Sequence, residues 1–168
     1  MIHIKNTCCF TGPRVKNLPW GNEDDAFVKP LMEKIEAETV KAIESGYRHF
    51  ITGMANGVDT YAARIVLKLS QTMPDADITL EAAIPCPTQD KRFTPKQKQE
   101  YREILSKCSK STIIANEHSV EAYHIRNKYM VDNASLVIAV LSLNSGGAMK
   151  TIEYAKEQGK KVVMIQPY

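Results

Sequence analysis

The chain of 168 residues lacks the features that mark membrane, secreted and zinc-binding proteins. No apolar run reaches the roughly 18 residues of a membrane span, and residues 1–5 lack the apolar stretch of a signal peptide. We therefore expect a cytoplasmic protein that makes no membrane contact and keeps its four cysteines reduced. No two cysteines have C-x-x-C spacing, so we expect no metal site, and no sequence feature calls for a cofactor.

The chain also carries little net charge. Its 22 lysines and arginines against 19 aspartates and glutamates leave +3, and the basic residues are spread along the chain. They form no stripe and are not interleaved with aromatic residues, so we do not expect nucleic acid as a partner. The 43% of hydrophobic and 24% of charged residues are ordinary for a globular protein. The length predicts one domain over residues 1–168.

Strand and helix patterns alternate along the chain. The almost unbroken apolar run 136–141 is typical of a buried strand, and 24–45 has apolar residues at helical spacing from Phe27 onward. The alternation predicts an α/β fold, a Rossmann-like three-layer sandwich with a mostly parallel sheet of about six strands. The predicted strands are 4–11, 49–52, 78–84, 111–115, 136–141 and 161–166, and the predicted helices are 24–45, 58–69, 94–108, 121–133 and 148–158.

Turns with glycine follow directly after predicted strands, at Gly12, Gly53 and Gly146. In a parallel sheet the ligand crevice lies at the carboxyl ends of the strands, so we expect these turns to share one edge. Gly12 lets the backbone approach a ligand closely and Arg14 suits a phosphate, although a plain turn with a solvated arginine explains both residues equally well. Trp20, the single tryptophan, either stacks on a base or covers the core.

Residues 52–59, Thr-Gly-Met-Ala-Asn-Gly-Val-Asp, place Gly53 and Gly57 around a strand-to-helix turn. Backbone N–H groups at such a turn attract anions, and the N-terminus of the helix reinforces them. The spacing matches neither the phosphate-binding motif that ends in Gly-Lys-Ser/Thr nor the dinucleotide fingerprint G-x-G-x-x-G. Asp59 has two interpretations: it fixes the turn at the start of the helix, or it bonds a ribose hydroxyl.

Two later segments carry further candidate residues. Arg126 and Asn127 lie on a predicted helix, where a solvated basic edge is the simpler interpretation of these residues alone. Gly146 and Gly147 separate a buried strand from a helix and form a second candidate phosphate cradle. Glu153 follows in the first turns of that helix. It is either an ordinary exposed glutamate or a carboxylate that faces a positive charge, one that develops beside the glycine loop during a reaction.

The ordered set of motifs resembles that of the YpsA-like branch of the SLOG superfamily. The set is Cys-Phe-Thr-Gly-Pro-Arg, Leu-Pro-Trp-Gly, Thr-Gly-x-Ala-x-Gly-x-Asp, Arg-Asn-x-Tyr-Met-Val-Asp, Gly-Gly and Glu-Tyr-Ala, and it extends from Cys8 to Pro167. The resemblance implies a Rossmann-like sheet that binds or senses a nucleotide-derived ligand, either ADP-ribose-like or a nucleoside monophosphate. The candidate ligand contacts are Gly12, Arg14, Trp20, Gly53, Gly57, Asp59, Asn127, Gly146, Gly147 and Thr151.

Other members of the superfamily imply alternative functions. The LOG phosphoribohydrolases carry Arg-Lys-x-x-Met and a later Gly-Gly-x-Gly-Thr-x-x-Glu. Arg126 and Glu153 match their catalytic arginine and glutamate, whereas Met149 and Lys150 replace the Gly-Thr pair. This match implies an enzyme that cleaves the N-glycosidic bond of a nucleotide, and because LOG relatives commonly form dimers, it leaves a homodimer open. A similar stretch in DprA implies a DNA-binding module as a third alternative.

Overall fold

The computed structural model describes residues 3–141 and 146–168. Within these residues, six strands alternate with five α-helices, and the strands form one sheet in which every neighbouring pair is parallel. The predicted Rossmann-like α/β fold is therefore confirmed, and the sheet is parallel throughout rather than mostly parallel. The strands are β1 (Thr7–Thr11), β2 (His49–Thr52), β3 (Thr79–Ile84), β4 (Lys110–Ile113), β5 (Leu136–Val140) and β6 (Lys161–Ile165), and the helices are α1 (Asp25–Glu44), α2 (Val58–Thr72), α3 (Pro95–Lys107), α4 (Val120–Asp132) and α5 (Gly147–Glu157).

The order of the strands determines where a ligand site can form. The order is β4-β3-β2-β1-β5-β6, so β1 lies between β2 and β5, and Thr11 of β1 pairs with Ala139 of β5. The chain runs outward from β1 through β2, β3 and β4, and then returns to place β5 on the other side of β1. In sheets of this kind a crevice opens at the carboxyl ends of the strands where the order reverses, which here is between β1 and β5.

Each face of the sheet packs on its own hydrophobic core. Alternation along β1 directs Cys8 and Phe10 to the face covered by α1, α2 and α3, and Cys9 to the face covered by α4 and α5. The central strands β1, β2 and β5 are buried along their whole length, which explains the continuous apolar sequence of β5. Full burial of one side chain such as Phe10 contributes about 1.5–3 kcal/mol to the stability of the fold. The well-packed core therefore fixes the positions of the strand ends that carry the site.

Local sequence signals determine where the helices begin. The side chain of Asp24 caps α1, Thr94 and Gln97 form a reciprocal capping box at the start of α3, and the Ser119 hydroxyl caps α4. In contrast, α2 and α5 follow glycine N-caps, which have no side chain to cap the helix. In the described parts of the chain, no helix combines the length and the apolar character needed to cross a membrane.

The structure departs from the predicted pattern at two places near the N-terminus. Residues 4–6 form a 3-10 turn instead of extending β1, because the N–H of Asn6 donates to the carbonyl of His3 at 3.0 Å. The apolar spacing of α1 starts at Phe27, but this side chain is 46% exposed. It stacks on Trp20 with ring centroids 5.3 Å apart, so it covers the start of the helix rather than the centre of the core.

Candidate functional site

A cavity of about 420 Å³ opens beside the carboxyl ends of β1 and β5. Its volume lies within the range of roughly 300–1,000 Å³ that is typical of small-molecule sites. The walls come from the turn after β1, the start of α2, the first part of α4 and the start of α5. The residues predicted from the sequence that line it are Gly12, Arg14, Asp59, Arg126, Asn127, Gly146 and Gly147.

Two helices begin at this cavity. Gly57 and Gly146 are the N-cap residues of α2 and α5, and neither supplies a capping side chain. Gly146 and Gly147 line the cavity themselves, whereas α2 contributes Asp59 in its first turn. Because the N-terminus of a helix carries partial positive charge, both helix starts favour an anion in the space between them.

The turn after β1 packs directly on the start of α2, and glycine makes this contact possible. Gly57 has φ +94°, and a Cβ there would lie 2.7–2.9 Å from backbone atoms of Pro13, Arg14 and Val15. A Cβ at Gly12 would meet the side chain of Val58 at 2.6–2.8 Å. The two glycines therefore hold the backbone around Arg14 against α2 at a distance that no side chain allows.

Arg126 is the most constrained charged residue of the cavity. It is only 4% exposed, and its Nη1 donates to the carbonyls of Gly53 and, at 3.2 Å, Ala83, while Nε donates to Asn127 Oδ1 at 2.8 Å. Burial lowers the pKa of the guanidinium and Asp59 partly offsets that effect, but an arginine stays charged at neutral pH. Nη2 has no hydrogen-bond partner among the described residues and is not fully buried. We infer that this nitrogen is available to a ligand.

Gly53 lies between the guanidinium of Arg126 and the carboxylate of Asp59. A Cβ at Gly53 would be 2.7 Å from Arg126 Nη1 and 2.8 Å from Asp59 Oδ2. Asp59 is 7% exposed, and its Oδ2 accepts a hydrogen bond from the N–H of Ala55 at 3.2 Å. Burial raises the pKa of Asp59, and the positive charge of Arg126 partly offsets this rise. Asp59 thus fixes its turn and also lines the cavity, which keeps both sequence interpretations open.

Gln89, which the sequence motifs do not indicate, supports the turn at Gly53 through a hydrogen bond. Its Nε2 donates to the Gly53 carbonyl at 2.8 Å, and its Oε1 accepts from the Tyr101 hydroxyl at 3.0 Å. Gln89 belongs to the loop 85–95, whose length and polar sequence fit either a lid over the site or a plain surface loop. The loop lines no described part of the cavity, and its buried glutamine supports the strand end beneath it. A lone glutamine in a polar loop gives no sequence signal for such a role.

An aromatic ring brings two of the arginines together. The guanidinium carbons of Arg14 and Arg126 lie 5.2 Å and 5.4 Å from the ring centroid of Tyr123, within the distance of cation–π attraction. His118 packs on the same ring edge-to-face at 5.6 Å. His118 and His124, which no sequence motif marks as site residues, also line the cavity. Only the position of α4 reveals this, because their spacing resembles no ligand motif.

The charge of the cavity walls favours an anion. Arg14, Lys16 and Arg126 are the cations among the described lining residues, and Asp59 is the single carboxylate. Arg14 and Lys16 are exposed, whereas Arg126 and Asp59 are buried. Positive charge therefore extends from the rim to the floor, while negative charge is confined to one point on the floor.

Five predicted site residues do not line this cavity. Gly53 and Gly57 shape the turns beside it, and Trp20, Thr151 and Glu153 lie elsewhere. Trp20 stacks on Phe27 and packs on the core under α1. The Thr151 hydroxyl donates to the Gly147 carbonyl at 2.8 Å and lines a neighbouring groove. Glu153 lies on the exposed face of α5 and lines neither space. Their roles in ligand binding or catalysis remain sequence-based predictions.

A buried polar network holds α4, the helix that carries Arg126, against the sheet. Glu81 of β3 accepts hydrogen bonds from Tyr129 of α4 and from Thr112 of β4, and its Oε1 lies 2.7 Å from His49 Nε2. Because a carboxylate only accepts hydrogen bonds, Nε2 carries the proton. Thr79 bonds Nδ1 at 2.7 Å. Burial raises the pKa of Glu81, but the hydrogen bonds from His49 and Tyr129 outweigh it and leave that pKa below its usual value.

We expect Glu81→Gln to lower the free energy of unfolding by about 1–3 kcal/mol, because it removes a buried charged acceptor. The folded-state pKa of Glu81 is lowered, so its ionised side chain contributes its full stability at pH values above the unfolded pKa, roughly 4.3 for glutamate. It is lost as the pH falls through the lower folded-state pKa. Urea unfolding at pH 7 and at pH 3 should therefore show a smaller difference from wild type at pH 3. An equal difference at both pH values would contradict the ionised network.

Comparisons with known proteins show the family to which the chain belongs. Residues 8–167 match the model of the YpsA family, described as the YspA SLOG family. The chain belongs to this SLOG family. It is 28% identical over 149 residues to the uncharacterized SPbeta prophage-derived protein YoqJ of Bacillus subtilis (strain 168), with 76% of this chain and 84% of YoqJ covered. It is 23% identical over 153 residues to a UPF0398 protein of Bacillus cereus (strain ATCC 14579), with 89% and 82% covered.

Among solved structures, the YpsA-family chain is similar to two DNA processing proteins A (DprA). The similarity to DprA from Streptococcus pneumoniae has a TM-score of 0.62 at 17% identity, and it covers 95% of this chain and 50% of that one. For DprA from Helicobacter pylori, a structure described for its single-stranded DNA binding mode, the TM-score is 0.64 at 13% identity, with 95% and 65% covered. At these identities the likeness shows a shared fold, and the chain spans only about half to two thirds of each DprA chain.

Proposed function

We propose that the cavity binds a nucleotide-derived ligand, a nucleoside monophosphate or an ADP-ribose-like molecule, and holds it intact as a binding or sensing domain. The observation that carries this proposal is the convergence of Arg14, Lys16 and Arg126 with the glycine-started helix α5 around one cavity. Such a combination of cations and helix N-terminus is suited to a phosphate.

The phosphate would occupy the positive part of the cavity. Gly146 and Gly147 lie at the N-terminus of α5, where backbone N–H groups point outward. Arg126 Nη2 would supply a charge-assisted hydrogen bond from the floor, and the exposed Arg14 and Lys16 would supply further ones from the rim. The phosphate would thus be bound between one buried cation and two exposed ones.

The rest of the nucleotide would lie toward α2 and α4. The Asp59 carboxylate accepts one hydrogen bond from a backbone N–H and has further acceptor capacity for a ribose hydroxyl. Tyr123 and Val120 offer aromatic and apolar surface to a base, and Val120 is 71% exposed at the edge of the cavity. A flat base would cover this otherwise solvated side chain.

The position of the carboxylates favours binding over cleavage of the N-glycosidic bond. Cleavage builds positive charge on the ribose, and the glutamate expected to face it from the LOG resemblance, Glu153, is exposed outside the cavity. Asp59 is the only carboxylate among the described lining residues. If the protein does cleave a nucleotide, Asp59 is the group that would stabilise the developing charge.

Single-stranded DNA is a second candidate ligand, favoured by the exposed cations Arg14 and Lys16 at the rim. The fold likeness to the Helicobacter pylori DprA structure supports its inclusion. The few aromatic side chains of the site favour a small ligand instead, because single-strand binders usually stack successive bases along a groove.

One incubation series tests these alternatives. The purified protein is mixed with nucleoside monophosphates, ADP-ribose, NAD, cyclic dinucleotides and a short oligothymidine, and mass spectrometry reads the free and the protein-retained fractions. We expect an intact nucleotide in the retained fraction, displaced by excess pyrophosphate. Release of a free base would establish an enzyme instead, and retention of the oligothymidine alone would establish the DNA-binding alternative.

We expect Asp59→Asn to weaken AMP binding and Glu153→Gln to leave it unchanged. Glu153→Gln should leave the affinity within about twofold of wild type, as is usual for an exposed residue outside the site. Asp59→Asn should weaken AMP about tenfold, because a charged acceptor is worth about 1.5–3 kcal/mol, yet leave pyrophosphate binding equal or stronger. Isothermal titration measures the affinities of both variants for AMP and for pyrophosphate. A loss of AMP binding in Glu153→Gln would contradict the position of Glu153 outside the site, whereas release of a base by the wild type that this variant abolishes without losing the ligand would support the LOG-like alternative.

A further inference from the structure

A second groove of about 410 Å³ lies between α4 and α5 and adjoins the cavity. His124 and Asn127 line both spaces, so the cavity and the groove meet at these two side chains of α4. Beyond these two side chains the groove is bordered by Lys128 and Lys150. The cavity and the groove therefore lie side by side on the α4–α5 side of the site and share these two side chains.

The groove repeats the chemistry of the cavity with different residues. Lys128 and Lys150 are exposed cations, and Glu121 is the single carboxylate among its described lining residues. The Tyr154 ring forms part of the wall, with Lys128 Nζ 5.5 Å from its centroid. The Tyr154 hydroxyl donates to Asp132 Oδ1 at 2.6 Å, which fixes the orientation of the ring. A positively charged aromatic surface suits a second base and a second phosphate.

The junction between the two spaces carries a hydrogen-bond donor. Asn127 Oδ1 is occupied by Arg126 Nε at 2.8 Å, so the amide nitrogen Nδ2 is turned toward the start of α5. A Cβ built on Gly147 would lie 3.8 Å from this nitrogen, which places Nδ2 beside the helix N-terminus. A phosphate that links two nucleosides would meet both the amide and the neighbouring His124 at this junction.

We propose that the cavity and the groove together bind a dinucleotide: a 5′-phosphorylated nucleotide in the cavity, joined by a phosphodiester to a second nucleoside in the groove. This inference rests on the proposed function, because it assigns the first phosphate to the cavity. It adds a ligand class with two phosphates, and it gives Lys128, Lys150 and Tyr154 roles that the sequence motifs did not indicate.

The test compares AMP, the linear dinucleotide pApA and the trinucleotide pApApA by isothermal titration. We expect pApA to bind about two- to thirtyfold more tightly than AMP, since its additional phosphodiester would contact two exposed lysines and each such surface ion contact adds a modest factor. A third nucleotide should add nothing. The double variant Lys128→Gln/Lys150→Gln should reduce pApA to the affinity of AMP while AMP itself stays within twofold.

Lys156→Gln serves as the matched control, because Lys156 is an exposed lysine of α5 that does not line the groove. It should leave both affinities unchanged. If AMP binds and pApA binds no more tightly, or if the double variant has no effect on pApA, the groove is not a nucleotide site although the proposed function stands. If neither compound binds, the proposed function fails as well. A further gain with pApApA would overturn the dinucleotide assignment in favour of a longer strand.

Discussion

Replacing Arg126 with methionine should weaken AMP binding by at least about 30-fold. Methionine preserves much of the apolar bulk but removes the charge from the floor of the cavity. Truncating one partner of a buried charged contact typically costs 2–5 kcal/mol or more, which corresponds to that factor or a larger one. Arg126 is 4% exposed and already positioned by the carbonyls of Gly53 and Ala83, so it meets the phosphate with little loss of side-chain entropy. Isothermal titration with AMP measures the loss.

The same substitution also removes hydrogen bonds from the Gly53 and Ala83 carbonyls, so its effect on folding must be separated from its effect on binding. Arg14→Gln tests the charge at the rim without that disturbance, because Arg14 is exposed and its side chain contacts the Tyr123 ring rather than a backbone carbonyl. It should lower the stability by no more than the ~0.5–1 kcal/mol of an exposed cation–π contact and weaken AMP by about tenfold. Loss of AMP binding in Arg126→Met with a lowered thermal unfolding midpoint, together with full binding in Arg14→Gln, would mean that Arg126 only supports the fold.

Gly57→Ala should lower the free energy of unfolding by about 2–5 kcal/mol. Its φ of +94° strains any side chain, and the new Cβ would lie 2.7–2.9 Å from the backbone of Pro13, Arg14 and Val15. Backbone atoms cannot rotate away as a side-chain end can, so the turn after β1 would have to separate from α2. Because Arg14 belongs to that turn, AMP binding should fall as well. Chemical denaturation measures the stability.

Gly46→Ala is the matched control for this substitution. Gly46 has a similar φ of +100°, but a Cβ there would have no atom within 4 Å. Gly46→Ala should lower the free energy of unfolding by only about 1–2 kcal/mol, because alanine disfavours the left-handed conformation. AMP binding should not change. The difference between the two variants isolates the collision with the turn after β1. Equal losses in both would show that this close packing contributes nothing to the stability of the site.

The sequence predicts the fold well because its signals are local and agree with one another. The apolar strands alternate with helices that start at Asp24, Thr94 and Ser119, each with a capping side chain. The pattern fails where a tertiary or turn contact overrides periodicity. Residues 4–6 close a turn on His3 instead of extending β1.

The candidate site could be predicted only where it follows from chain topology. Gly12 and Gly146 come after neighbouring parallel strands, so they line the same cavity. The orientation of Glu153 depends on the helical phase of α5, whose buried face includes Thr151 and Ile152 and leaves Glu153 exposed. The bond from Gln89 to the Gly53 carbonyl joins residues 36 positions apart, and no local pattern indicates it.

The difference in affinity between AMP and adenosine for the wild-type protein tests the central claim most directly. Isothermal titration of both compounds at the same low ionic strength isolates the contribution of the phosphate. If Arg14, Lys16 and Arg126 bind a phosphate beside the start of α5, AMP should bind at least about tenfold more tightly than adenosine, and added salt should reduce that ratio. Equal affinities, or no binding of AMP, would contradict the assignment of this cavity as a nucleotide phosphate site.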